Sequence, residues 1–307
     1  MNVLSLFDGM SCGQIALDKL GIKVDNYFAS EIDKYAIQVT QKNYPNTKQV
    51  GDIIELKGSG LPKIDLLYGG SPCQSFSRAG DGSGFDGKSK LFWEFVRVLK
   101  ETKPKYFLLE NVVMKKEWEQ IITDELGVSP IKINSSLVSP QNRNRLYWTN
   151  IPNVSQPIDK GIMLKDVIEN NVEEKYFLTE KGSRYITDNV RLKKKFTALN
   201  GGKALTLMSQ YNQSKNGTFL CVDANGRIDT EKTGTLTQRY YKGTENFGSN
   251  PFLLHNHKFR KLTPNECEAL QTVPYNYTDC VSDTQRYKMI GNGWTVDVIA
   301  HIFKNLK

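Results

Sequence analysis

The stretch VLSLFDGMSCGQIALDKLG, Val3 to Gly21, decides the fold. Val3 to Phe7 reads as a buried strand, glycines at Gly9 and Gly13 break it, and Gln14 to Gly21 carries a helical pattern. Glycine lets the backbone approach a ligand closely, and the first turn of a helix offers N–H groups to an anion. The spacing is not the G-x-G-x-x-G of dinucleotide folds, so the turn alone names no ligand.

Outward from this unit the alternation repeats. NYFAS leads to Glu31 and the amphipathic DKYAIQVTQKNY; IDLLY, the helical SKLFWEFVRVLKET, YFLLENV and the helical KKEWEQIITDEL follow. Such β-α alternation with short connections predicts a mostly parallel sheet with helices on both faces. Phe92, Phe95, Val96 and Leu99 form a helical stripe and read as core. After about Asn150 the pattern gives way to Gly-, Asn-, Thr- and Lys-rich sequence with short strand-like pieces. Two of these, Ala204 to Asn216 and Thr235 to Asn246, share Leu-Thr, a tyrosine and a polar tip, as two similar hairpins would. Helical sequence resumes in TPNECEALQTV, and the chain ends in WTVDVIAHIFKNL. The expected organisation is an α/β domain over 1–150, a smaller β-rich insertion over 151–257, and a segment over 258–307 that completes the first domain.

The charge is uneven. The chain carries 41 Lys+Arg against 33 Asp+Glu, and Ile151 to Arg260 alone holds 17 against 11, or +6 of the total +8. A basic insertion suits a polyanionic partner. The five cysteines are scattered without a C-x-x-C pair, and there are only three histidines, which argues against a disulfide framework or a structural zinc site. No signal-peptide pattern and no apolar run of about 18 residues is present, so a cytoplasmic protein without a membrane or metal partner is expected.

The strand ends collect chemistry. Glu31, after the second strand, is placed for a ribose diol, and Asp52, after the third, for an adenine amino group. The fourth strand runs into LLYGGSPCQSFSRAGDGSG, where Cys73 opens a Ser- and Gly-rich loop, and the fifth runs to Glu110. Ligands of parallel sheets bind beyond the carboxyl ends of the strands, so Cys73 and Glu110 should share a face with the adenosyl site. A free thiol, of pKa about 8.5, is a strong nucleophile toward carbon as the thiolate. In QNRNR, Arg143 and Arg145 lie two apart on a strand and should point to one face.

In this order and spacing the pieces resemble the cytosine-C5 DNA methyltransferase family over nearly the whole chain outside the insertion. FDGMSCG resembles its S-adenosylmethionine turn, Gly70 to Gln74 its nucleophile motif, Glu110-Asn111-Val112 its ENV motif, and Gln141, Arg143 and Arg145 its Q-x-R-x-R. RKLTPNECEALQTVP resembles the late R-x-L-T-x-x-E-x-x-x-L-Q segment, and Gly291-Asn292 the closing G-N. The closing motif departs from the pattern: it reads GNGWTV where many bacterial members have GNS or GNA followed by Val. With ENVV, LFWEF and LYWTNIP, Trp294 is similar to the animal de novo branch and its short phage and bacterial relatives.

The resemblance implies a Rossmann-like S-adenosylmethionine-dependent methyltransferase fold with an inserted target-recognition domain. It implies that Phe7, Asp8, Gly9, Ser11, Cys12, Gly13, Glu31, Ile32, Asp52, Ile53, Gly70, Pro72, Leu91, Asn292, Trp294 and Val296 bind the cofactor. It assigns catalysis to Cys73, Glu110, Arg143 and Arg145, acting on a cytosine flipped out of double-stranded DNA. Ser75, Ser77, Arg78, Lys193, Lys194 and Lys195 are expected on phosphates, and Gln210, Tyr211, Asn212, Gln238, Arg239 and Tyr240 on base edges. A monomer is expected, with a dimer as the alternative. The competing readings are tRNA methylation, as in one branch of the family, and a regulatory homologue without activity; the chain lacks that branch's Cys-Phe-Thr stretch and keeps the nucleophile and the cofactor turn.

Overall fold

The structure is a computed structural model that describes residues 1–72, 91–177, 179, 252–255 and 258–306, with backbone alone at 165, 252–255 and 258–260. The chain divides into two compact units. Met1–Asn134, Asn144–Ile158 and Gly293–Lys307 form the first, and Ser135–Arg143 with Asp159–Asn292 the second.

Among the described residues the first unit holds β1 (Asn2–Leu6), α1 (Cys12–Lys19), β2 (Asn26–Ser30), α2 (Lys34–Asn43), β3 (Lys48–Gln49) and β4 (Leu66–Gly70). It continues with α3 (Leu91–Thr102), β5 (Tyr106–Val112), α4 (Lys116–Leu126), β6 (Ile131–Asn134) and β7 (Asn144–Thr149). The described strands of this unit make one sheet in the order β3-β2-β1-β4-β5-β7-β6. Strands β1 to β5 pair in parallel, and β7 runs antiparallel to both β5 and β6. The mostly parallel sheet is as expected, and its strands read as unbroken apolar runs because both faces are covered.

One face packs Leu4, Leu6, Leu67, Leu109 and Trp148 against Phe92, Phe95 and Val96 of α3 and Ile122 of α4. Val98 closes that face of α3, while Leu99, expected in the core, is only partly buried. On the other face α1 packs against the helix Val296–Phe303 that the chain adds on its return. Asp33 caps α2 by accepting a bond from Tyr35 N at 3.0 Å, which fixes where the helix begins after Glu31.

The second unit, among its described residues, contains 3₁₀ turns at Leu164–Val167 and Glu174–Tyr176, the antiparallel pair β8 (Phe252–His255) and β9 (Lys258–Lys261), α5 (Pro264–Leu270) and α6 (Asp283–Asn292). Thr263 and Glu266 form a capping box at α5. Within it, Glu169 accepts a bond from Thr263 Oγ1 at 2.6 Å, and buried Arg286 pairs with buried Glu268 at 3.0 Å. The chain rejoins the first unit at Gly293. The returning helix, Val296–Phe303, is α7.

Candidate active site

Strand order reverses at β1: the chain proceeds from it to β2 on one side and later to β4 on the other. Open α/β sheets bind ligands at such a switch point, beyond the carboxyl ends of the strands. The turn after β1 is strongly shaped there. Phe7, Gly9 and Ser11 all have φ near +60°, at +56°, +59° and +61°. Such conformations in Phe and Ser are strained and tend to persist where a ligand is held.

Glu31 locks this turn. Its Oε2 accepts from Gly9 N at 2.7 Å, and Oε1 accepts from Ile32 N and Asp33 N at 2.7 and 2.8 Å. Asp52 accepts from Ile54 N at 3.0 Å. Ile32 is 73% exposed and Ile54 57% exposed, unusual for large aliphatics beside two carboxylates. Acids for hydroxyls and amines flanked by uncovered apolar side chains fit an adenosyl group. Ile53, expected beside the cofactor, is buried in the core at 4% exposure.

Asp8 lies below the turn. Ser11 Oγ donates to it, and Tyr27 Oη donates to its Oδ1 at 2.7 Å. Burial pushes its carboxyl up to about 6, against the opposing hydrogen bonds from Ser11, Ser5 and Tyr27. The Tyr27 and Tyr68 hydroxyls are 2.6 Å apart, and burial holds both phenols well above their ordinary range. A Cβ at Gly13 would come 2.3 Å from the Tyr68 hydroxyl, so α1 sits directly on that ring.

Glu110 lies on β5, two residues before its end, beside Gly70, its register partner on β4. Arg145, on β7, pairs with Val112, two residues along from Glu110, and therefore shares its face. Its Nε meets Glu110 Oε1 at 2.9 Å, and the Trp294 indole N–H donates to Oε2 at 3.0 Å. Asn111 faces the other way: its amide donates to Ser71 Oγ at 3.1 Å, fastening the chain just before Pro72. Among the catalytic candidates of the first unit, Glu110 and Arg145 meet.

The Arg143 side chain does not share that face. It precedes β7, belongs to the second unit, and donates to Gly291 O at 3.3 Å. Two-residue spacing puts side chains on one face only inside a strand, and the strand begins at Asn144. Gln141, fully buried, likewise donates to Leu270 O at 3.1 Å and Gln271 Oε1 at 3.2 Å.

Of the remaining expected cofactor residues, Cys12 is buried at the start of α1, Leu91 opens α3 partly buried, and Pro72 is partly exposed. Val296 is fully buried at the start of α7, and Asn292 ends α6, exposed, in the second unit. Cys73, Ser75, Ser77, Arg78, Lys193, Lys194, Lys195, Gln210, Tyr211, Asn212, Gln238, Arg239 and Tyr240 lie outside the described residues. Among the described residues no cluster of three or more His, Cys, Asp or Glu is arranged for a metal ion, and no helix is long and apolar enough to cross a membrane.

A mostly parallel seven-stranded sheet with a glycine turn at its switch point fits a Rossmann-like methyltransferase fold. The family model for C-5 cytosine-specific DNA methylase matches residues 1–307, and the chain belongs to that family. It is a DNA cytosine-5 methyltransferase. The Type II methyltransferase M1.ScrFI of Lactococcus lactis subsp. cremoris is 32% identical over 328 residues, covering 99% of this chain and 77% of the relative. The Type II methyltransferase M.NlaX of Neisseria lactamica is 30% identical over 332 residues, covering 99% and 96%. The solved structure of Entamoeba histolytica methyltransferase EhMeth superimposes with a TM-score of 0.75 at 21% identity, covering 100% of this chain and 99% of that one. That likeness supports the fold.

Proposed function

We propose that the chain transfers a methyl group from S-adenosylmethionine to C5 of a cytosine flipped out of a short, specific duplex site, using Cys73 as nucleophile and Glu110 as acid. The observation that carries this reading is the Glu110 carboxylate, gripped at both oxygens by Arg145 and Trp294 at the strand end next to Gly70.

Glu31, Asp52, Ile32, Ile54 and the Phe7–Gly13 turn would hold the cofactor. When bound, S-adenosylmethionine supplies an electrophilic methyl group at its sulfonium. Cytosine C5 is too weak a nucleophile to take it unaided. Addition of the Cys73 thiolate to C6 turns the ring into an enamine with nucleophilic C5, and Glu110 holds a proton at N3 to accept the electron density. Arg145 steadies the carboxyl and the charge that builds beside it. After methylation, loss of the C5 proton and expulsion of the thiolate restore the aromatic ring. None of these atoms is reachable in a stacked duplex, so the base is extruded, at a cost of a few kcal/mol.

The basic segment 151–257 is proposed as the DNA-reading part, with Lys193 to Lys195, Ser75, Ser77 and Arg78 on phosphates and Gln210, Tyr211, Gln238, Arg239 and Tyr240 on base edges. A role in restriction-modification or phage self-protection is proposed, the former supported by the Type II relatives and the latter by an orphan phage methyltransferase 27% identical to this chain; a cytoplasmic monomer is the simplest form. The test is incubation with labelled S-adenosylmethionine and either duplex DNA or tRNA, followed by bisulfite sequencing. Label in DNA, at one cytosine of a fixed sequence, is expected; label in tRNA alone overturns the reading.

A further inference from the structure

Trp294 stands where the closing motif departs from the common bacterial pattern, and the sequence reading assigned it to the cofactor. Its surroundings connect it to Glu110 as well. The ring packs on Tyr68, centroids 5.7 Å apart, and Tyr68 is itself fully buried against Phe303 at 5.4 Å and bonded to Tyr27. A ring supported from beneath in this way has its N–H direction fixed, and that N–H points at Glu110 Oε2, 3.0 Å away. Space for the contact exists because residue 70 has no side chain. A Cβ there would lie 2.9 Å from Glu110 Oε2 and 3.0 Å from Trp294 Nε1.

Resting on the proposed role of Glu110, we infer that Trp294 is a positioning residue for the acid: with Arg145 it fixes the plane of the Glu110 carboxyl. The chemistry suits the task. An indole N–H donates and never accepts, and Arg145 likewise only donates. Two donors on opposite oxygens of one carboxyl leave it a single orientation, with the second lone pair of each oxygen available for the base. A donor on one oxygen alone would let the carboxyl rotate about its terminal bond, which has a broad torsional minimum. Misorientation of a proton-holding group by a fraction of an ångström slows reaction without weakening binding.

The distinguishing experiment uses Trp294→Phe, which keeps an aromatic ring beside Tyr68 and removes the N–H together with part of the indole. The expected result is a fall of roughly ten- to a hundredfold in kcat, with S-adenosylmethionine and DNA dissociation constants within about twofold of wild type. In a Glu110→Gln background the same change should cost much less, since the group it positions is already impaired. A large rise in the S-adenosylmethionine dissociation constant with unchanged kcat overturns the inference and makes Trp294 a cofactor wall. Equal losses in the two backgrounds also overturn it. Wild-type protein assayed in parallel separates the two levels: if it methylates DNA and Trp294→Phe matches it, only this inference fails, whereas wild-type label in tRNA alone removes the function on which the inference rests.

Discussion

Arg145 Nε and Glu110 Oε1 meet at 2.9 Å across antiparallel strands, with 15% and 10% of their side-chain surfaces exposed. Removing one partner of so enclosed a pair strands the other charge. Arg145→Met is expected to lower stability by roughly 3 kcal/mol, and Glu110→Gln in the same chain to recover much of that. Urea unfolding of the two single variants and the double variant checks it; additive losses would show that the pair is not coupled.

The two glycines ending β4 should behave differently. A Cβ at Gly69 would lie 2.6 Å from the Leu6 carbonyl, a backbone atom with no room to move, so Gly69→Ala is expected to cost about 1–3 kcal/mol of stability. At Gly70 the obstructing atoms are the Glu110 carboxyl and the Trp294 indole, so Gly70→Ala should chiefly lower kcat. Thermal melts beside steady-state rates separate these outcomes, and a Gly70→Ala enzyme with normal kcat would refute the crowding at this point.

Asp8 ties stability to pH. Its carboxyl is raised from 3.8 to about 6 by burial, so the folded state holds the proton more tightly than the unfolded state does. Stability from this group is fully present below about pH 4 and is lost as pH rises through about 6. Against Asp8→Asn, which cannot titrate, wild type should therefore lose ground between pH 4.5 and 7.5, by on the order of 2–3 kcal/mol. Denaturation of both proteins at the two pH values tests this; a difference that stays constant contradicts it.

Cys73→Ala should abolish methyl transfer while leaving S-adenosylmethionine affinity, measured by calorimetry, within a few fold. Turnover retained by that variant would remove the thiol from the mechanism.

Much of this was legible in the chain. The apolar runs of β1, β2, β4 and β5 are largely buried, so they announce themselves without alternation. The short IKIN of β6 gave no such signal. Q-x-R-x-R reads as one motif, yet Gln141 and Arg143 bond to backbone of the second unit while Arg145 holds Glu110. Spacing alone did not show where the strand begins. Trp294 was visible as a departure from pattern, but its partner stands 184 residues earlier, a pairing that only the fold creates.

The close seating of Gly13 on Tyr68 carries an evolutionary corollary. One phenol supports the helix after the glycine turn on one side and the indole beside Glu110 on the other. A drift at position 68 toward a smaller residue would relax both neighbours at once, and a drift at position 13 away from glycine would have to await it. A lineage carrying a side chain at position 13 should therefore have surrendered the tyrosine at 68 first.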